Sequence, residues 1–378
     1  MMRIAVLAAV IGCLALPLRA GDEPETIRIG ATFPLTGRFE IYGQSAYYGV
    51  RARVREINAA GGVNGKDIEI LWHDNRSENA VAVRDVEELA DKGVQAILGP
   101  LTSEAAMAVR ETARKRQVVI LLPMATMDAI TRDNPWIFRT CFNNSLQADA
   151  MARFQREDYA FETVGILFDA RYAFSIELAE LFADKFVARG GAITGKASFA
   201  EEAGDIERGL RKVAEAKPDF IYAPCYGDEA VDVVQTAKAL GIRTPFAAPD
   251  SWDNDLVLSA AGSRLVGTKI VSSLPEQEYL SPPFRRFFEA MQRAGMDNPD
   301  ALAANAYDAV TILATALENG ETAEEIRQGL HAIERFPLAT GITTITADGD
   351  ALKPVLIRIV EKRGGKLIPV LARTIEPE

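Results

Sequence analysis

Residues 94–122 read VQAILGPLTSEAAMAVRETARKRQVVILL. Val94 to Leu98 predicts a strand that stops at Gly99-Pro100, and a helix follows from about Ser103 to Lys115. Val118 to Leu122 is again unbroken in its apolar character, the mark of a strand covered on both faces. The same order extends outward from this segment. Upstream, Ile27, Ile29 and Ala31 suggest a strand, and Tyr47, Val50, Val54 and Ile57 place one apolar stripe on a following helix. Gly61-Gly62 ends that helix, because glycine tolerates the left-handed turn at a helix C-terminus. A strand at Ile68 to Leu71 and a helix from about Glu78 to Asp91 lead back to residue 94.

Downstream the rhythm restarts near residue 160. Val164 to Phe168, Phe220 to Ala223 and Pro245 to Ala248 read as strands. Leu178, Leu181, Phe182 and Phe186 mark one intervening helix, and Ala230, Val233, Val234 and Ala237 mark another. A helical stretch from about Ala301 to Leu317 precedes a β-rich C-terminus at Ile342 to Ile345, Val355 to Val360 and Leu367 to Leu371. Two successive βα series predict an α/β protein of two lobes, each a doubly wound parallel sheet. A length of 378 residues is consistent with two cores, and no low-complexity linker separates the halves.

Composition narrows the partners. The formal net charge of −11 disfavours nucleic acid and anionic membrane. Arg3, the apolar run Ile4 to Leu18, and Arg19-Ala20-Gly21 before an acidic stretch fit a signal peptide cleaved after Ala20. A second reading stands beside it: Val10-Ile11-Gly12-Cys13 resembles a lipobox, which would make Cys13 a lipid-anchored N-terminus. Either reading predicts a periplasmic or extracellular protein. Cleavage after Ala20 leaves Cys141 and Cys225, read as two isolated thiols, although an oxidising compartment would permit pairing. With His73 and His331 the only histidines and no Cys-x-x-Cys, neither a metal site nor a cofactor is expected. Gly-x-Ser-x-Gly, Gly-x-Gly-x-x-Gly and the phosphate-binding Gly-x-x-x-x-Gly-Lys-Ser/Thr loop are all missing, so no catalytic residue is assigned.

In doubly wound sheets ligands gather where strands enter helices, at the C-terminal strand ends. Those loops are Phe33 to Gln44, Gly99 to Glu104, Pro123 to Asp128, Asp169 to Ser175, Pro224 to Glu229 and Asp250 to Asn254. Several of them carry a recognisable pattern: Gly30-Ala31-Thr32-Phe33-Pro34-Leu35-Thr36-Gly37, Tyr42-Gly43, Glu56-Ile57-Asn58-Ala59-Ala60-Gly61-Gly62-Val63-Asn64-Gly65, Ile97-Leu98-Gly99-Pro100-Leu101-Thr102-Ser103, Pro123-Met124-Ala125-Thr126, Lys217-Pro218-Asp219-Phe220-Ile221-Tyr222 and Ala306-Tyr307-Asp308-Ala309-Val310. In this order the chain resembles the type I periplasmic solute-binding proteins of ABC transporters, in their leucine/isoleucine/valine-binding branch.

The resemblance implies discontinuous lobes, 27–140 with 273–336 and 141–272 with 337–378. Three hinge crossings would join them, near Arg139 to Asn143, Val271 to Ser273 and Phe336 to Thr340. It also implies the site. Ser103 and Thr126 would meet a ligand carboxylate, with a backbone contact at Met124, and Asp250 would meet the ligand's ammonium group. Tyr42, Tyr172 or Phe174, and Tyr226 would form aromatic walls. Helix capping is the bland alternative for Ser103 and Thr126, an Asx-turn for Asp250, and core packing for each ring. Trp252 lies close enough to line the pocket or cover the hinge.

Two departures loosen the choice of ligand. Arg76 and Thr102 stand where the branched-chain binders carry a disulfide, and Pro224-Cys225 replaces a glycine-rich approach to the aromatic. The implied function is capture of an amino acid, branched-chain or otherwise aliphatic, by hinge closure and its delivery to a membrane permease. A sensor of the same fold, a receptor for amides or aromatic acids, and an α/β enzyme are the alternatives.

Overall fold

The computed structural model describes residues 25–200, 202, 204–275 and 281–377; the expected signal peptide and Cys13 lie outside them. The first lobe is built on five parallel strands, β1 (Ile27–Phe33), β2 (Ile68–Asp74), β3 (Ala96–Leu98), β4 (Val119–Leu122) and β5 (Ile137–Arg139). Their order is β2-β1-β3-β4-β5, with helices α1 (Glu40–Ala59), α2 (Asn79–Asp91) and α3 (Ser103–Arg116) as crossovers. The fully buried β3 and β4 show why the 94–122 segment reads as it does. α1 ends at Ala59, and Gly61 and Gly62 take the positive φ values, 104° and 74°, that its exit requires.

After β5 the chain passes through α4 (Asn144–Glu157) into a second sheet of β6 (Thr163–Asp169), β7 (Ala192–Phe199), β8 (Phe220–Tyr222), β9 (Phe246–Ala248) and β10 (Lys269–Ser272). Helices α5 (Ala173–Ala188), α6 (Asp205–Ala214), α7 (Gly227–Ala239) and α8 (Asp255–Ala261) connect these strands. The chain then returns to the first lobe, where α9 (Pro282–Arg293), α10 (Ala301–Leu317) and α11 (Ala323–His331) pack on α1 and β4.

A separate antiparallel sheet follows, made of β11 (Phe336–Leu338), β12 (Gly341–Ile345) and β13 (Ala351–Leu352). Only at Val355 does the chain enter the second sheet again, as β14 (Val355–Arg363) and β15 (Lys366–Ile375). The stretch Phe336–Thr340, expected to carry the third crossing, therefore opens this small sheet, and the strand that rejoins the second lobe begins after Lys353-Pro354. The second sheet runs β15-β14-β10-β9-β8-β6-β7, parallel except where β14 and β15 pair antiparallel at its edge. The two-residue Gly364-Gly365 turn between them has positive φ at both positions, the geometry that matches strand twist in a tight hairpin. Cys141 and Cys225 are buried, unpaired thiols, and no helix among the described residues is long and apolar enough to cross a membrane.

Helices α1 and α10 pack closely against each other. A Cβ placed on Gly49 would fall 2.2 Å from the Ala303 carbonyl oxygen, so the two backbones approach through a glycine facing an alanine-rich helix. Alanine at position 49 would gain about 1 kcal/mol of helix propensity, but the obstacle is backbone rather than a flexible side-chain end. Overpacking of this kind costs about 1–3 kcal/mol. Gly49→Ala is expected to lower the melting temperature, and a thermal melt followed by circular dichroism checks it; an unchanged or raised temperature would show that the helices part freely.

Candidate functional site

The C-terminal strand ends of the two sheets face one another across a cavity of about 30 Å³. Tyr42, Ser103, Met124 and Thr126 line it from the first lobe, and Phe174, Tyr226 and Asp250 from the second. Each follows a strand: Tyr42 after β1, Ser103 after β3, Met124 and Thr126 after β4, Phe174 after β6, Tyr226 after β8 and Asp250 after β9. Leu101, Thr102, Ser251 and Leu302 complete the lining. Gly99 turns the chain out of β3 with φ of 85°, and a Cβ there would come within 2.5 Å of the Thr32 carbonyl oxygen.

Capping does not account for Ser103 or Thr126. Thr102 is the N-cap of α3 and makes no side-chain cap bond. The Ser103 hydroxyl instead accepts from the backbone N–H groups of Thr126 and Met127, at 3.2 and 3.3 Å, tying the β3 loop to the β4 loop. The β4 loop is held from below by Arg139, which is fully buried. Its guanidinium donates to the carbonyls of Ala125 and Met127 at 3.0 and 2.8 Å and pairs with Asp350 at 2.8 Å. Sequence reading placed Arg139 only at a hinge; an arginine at the last position of a buried strand was the available signal.

The aromatic side is layered. Phe174 stacks on Tyr226 with ring centroids 4.8 Å apart, and both face the cavity. Tyr172 is not among the lining residues. It meets the edge of Tyr226 from behind at 5.1 Å, with the Arg38 and Arg171 guanidiniums 5.5 and 5.4 Å from its ring centre. Phe39, which sequence reading did not single out, touches Tyr42, Tyr172 and Tyr226. Trp252 does not line the pocket. It is buried against Phe246, and its indole N–H donates to the Cys225 carbonyl at 3.2 Å.

The lobes touch around the cavity. The Tyr42 hydroxyl accepts from Gly227 N–H at 2.8 Å and donates to the Ser251 carbonyl at 3.3 Å. Glu104, also missed from sequence, accepts from the Tyr226 hydroxyl at 2.9 Å and from Phe174 N–H at 3.1 Å. Arg38 pairs with Glu229, which also holds Arg171 at 2.6 Å.

Asp250 stands apart from these pairs. Burial pushes its carboxyl up to about 7, only partly offset by the Ser251 N–H and the Gln147 side chain. The Ser251 contact keeps the local-turn reading in play, yet no ion pair to Asp250 exists among the described residues. The guanidiniums of Arg38 and Arg171, behind the aromatic wall, are engaged by Glu229 and Asp169. The cavity thus has one lining acid, Asp250, on the second lobe and the hydroxyls of Ser103 and Thr126 on the first. Among the described residues no group of three His, Cys, Asp or Glu side chains could hold a metal ion.

Two α/β lobes with facing strand ends and a lined cavity between them define a binding protein of the two-lobed type. The chain belongs to the periplasmic binding protein family, whose model matches residues 26–366. Within it the chain falls in the type I, leucine/isoleucine/valine-binding-like branch. It is 25% identical over 335 residues to the leucine-, isoleucine-, valine-, threonine- and alanine-binding protein of Pseudomonas aeruginosa, covering 86% of this chain and 87% of that one. Among solved structures it is similar to the branched-chain amino acid transporter substrate-binding protein LivJ of Streptococcus pneumoniae in complex with isoleucine. The TM-score is 0.85 at 28% identity, covering 92% of this chain and 99% of the other. The fold also matches a solute-binding protein of an ABC transporter from Rhodopseudomonas palustris in complex with 3,4-dihydroxybenzoic acid. There the TM-score is 0.82 at 21% identity, covering 93% and 97% of the two chains.

The position of Asp250 sets a stability pattern. Its carboxyl ionises from about pH 4 in the unfolded chain but only near 7 in the fold, so stability conferred by this group falls as pH rises from 4 to 7. Asp250→Asn removes that penalty at pH 8, where the wild-type group is charged, and changes little at pH 5, where it is already neutral. Relief of about 1 kcal/mol corresponds to a rise of about 2–4 °C. Melting curves of the ligand-free proteins at the two pH values check this; an equal effect at both would remove Asp250's burial as the cause.

Proposed function

We propose that this chain is the extracytoplasmic substrate-binding component of an ABC transporter and that its ligand is an amino acid with an aliphatic side chain. The observation that carries the reading is the Asp250 carboxylate, facing the cavity with no cation paired to it among the described residues. A ligand ammonium group would supply the missing charge through a charge-assisted hydrogen bond, stronger than a neutral one. Ser103 and Thr126 lie across the cavity, where hydroxyl and backbone donors suit a carboxylate, and Leu101, Met124 and Leu302 offer apolar surface to a side chain. The relatives named for branched-chain amino acids support the same class.

An aromatic acid is the second reading, favoured by the dihydroxybenzoate-bound relative in fold and by the stacked Phe174–Tyr226 pair. A benzoate-type anion would bring negative charge beside Asp250 with no cation among the lining residues to offset it, so we rank it below the zwitterion. In the mechanism we propose, the ligand docks on the first lobe and the second lobe closes, adding Asp250, Phe174 and Tyr226. Ligand favours closure only through its extra affinity for the closed arrangement. The closed form then presents itself to a membrane permease after the N-terminal signal has been removed or lipidated. The role is binding rather than turnover.

A thermal-shift screen of the mature chain against amino acids and aromatic acids tests the reading. Ligand at a hundred times its dissociation constant adds about 2.7 kcal/mol of stability. A rise in melting temperature with aliphatic amino acids, lost in Asp250→Ala, is the expected result. A rise only with benzoates, retained in Asp250→Ala, would replace the amino acid with the aromatic acid.

A further inference from the structure

Away from the cavity, the chain segments that pass between the lobes converge on one buried lysine. Lys353 is 0% exposed and lies between β13 and β14, where the chain rejoins the second sheet. Its ammonium donates to the Thr140 carbonyl at 3.1 Å, on the segment that joins β5 to α4. It also donates to the Asn305 side-chain oxygen at 3.4 Å, and the Asn305 amide donates onward to the Ser273 hydroxyl at 2.8 Å, just after β10. A third bond goes to the Thr340 hydroxyl, between β11 and β12. Thr340 in turn donates to Asp308 at 2.6 Å, and Asp308 also accepts from the N–H groups of Ala339 and Thr340, both at 2.9 Å. Thr140 closes the circuit, its hydroxyl donating to the Asn305 carbonyl at 3.3 Å. Every member is buried.

Hydrophobic packing could fill this space more cheaply. A lysine ammonium taken out of water carries a desolvation cost, and buried ion networks replaced by apolar side chains of similar volume often leave a protein equally or more stable. What the network adds is direction. Three donors on one ammonium fix the relative positions of Thr140, Asn305 and Thr340, and Asn305 relays that position to Ser273, so the segments leaving β5, β10 and β13 share one register. An apolar side chain would let each segment adjust on its own.

We infer that Lys353 is a positioning residue for ligand capture: by joining the segments that cross between the lobes it sets how far the lobes stand apart, without touching the ligand. The inference rests on lobe movement as proposed above, and its test is independent of ligand identity. Spin labels attached at Glu87→Cys on α2 and Lys238→Cys on α7, both exposed positions on opposite lobes, report the lobe separation in the ligand-free full mature chain by pulsed electron resonance.

Lys353→Met, which keeps the length of the side chain and removes its charge, is expected to fold but to melt below the wild-type temperature, because Asp308, the Thr140 carbonyl and the Asn305 oxygen lose their buried cation. Its distance distribution should broaden toward longer separations, with the ratio of separated to apposed lobes rising by about 2- to 30-fold. Thr340→Val, which leaves the lysine in place and cuts its link to Asp308, should move the distribution in the same direction. A distribution in both variants matching the wild type would overturn the inference. So would an unfolded Lys353→Met together with a wild-type distribution in Thr340→Val, since the lysine would then be a matter of stability alone. Absence of amino-acid binding in the melting screen would sink the proposed ligand and leave this result standing.

Discussion

Asp250 holds a half-buried carboxyl group at the junction of two lobes, and no cation among the described residues is paired with it. An ionised carboxylate in such a place costs several kcal/mol unless it is paired, so the group keeps its proton well above the usual carboxylate range, while the groups around it are tied to one another. Ser103 is engaged by two backbone N–H groups, Tyr42 bridges Gly227 and Ser251, and Glu104 ties Tyr226 to the start of α5. Asp250, by contrast, has the Ser251 N–H and the Gln147 side chain for partners and no paired cation among the described residues. Such exceptions concentrate at functional sites, where an incoming group completes the arrangement.

The two sheets make that arrangement available. Parallel strands place every loop of interest at one end of a sheet, and the two sheets present those ends to each other. The first lobe contributes hydroxyls and backbone donors on short, rigid loops braced by Ser103 and Arg139. The second contributes the acid and two stacked rings. Arg38 and Glu104 reach across to Glu229, Tyr226 and Phe174, so the protein's own side chains, as well as any ligand, bear on how the lobes meet.

Much of this was legible in the sequence, for physical reasons. Long apolar stripes and unbroken apolar strands gave the alternating βα order, and family motifs fell at strand ends. Elements without such a signature were missed. β5 is three residues long, and β7 alternates between exposed and half-buried positions at a sheet edge. The separate β11–β13 sheet, and with it the late return of the chain at Val355, depends on pairing between distant short segments. At the site, the residue types and their loops could be read, but one-residue ambiguities could not. Whether Tyr172 or Phe174 faces the cavity is decided by the start of α5, which turns Phe174 inward and leaves Tyr172 behind Tyr226. Glu104 and Arg38 were invisible because their partners lie 70 or more residues away, on the other lobe.

If Asp250 receives the ammonium group of an amino acid, its carboxyl gives up a proton on binding, and proton counting reads that event. Its carboxyl, near 7 in the ligand-free protein, must ionise to pair with the ligand. Calorimetric titration with L-leucine and L-alanine at pH 6, in two buffers of different ionisation enthalpy, reads the protons exchanged on binding. The account predicts net proton release on binding, absent in Asp250→Asn. Binding without proton release, or with proton uptake, would contradict it.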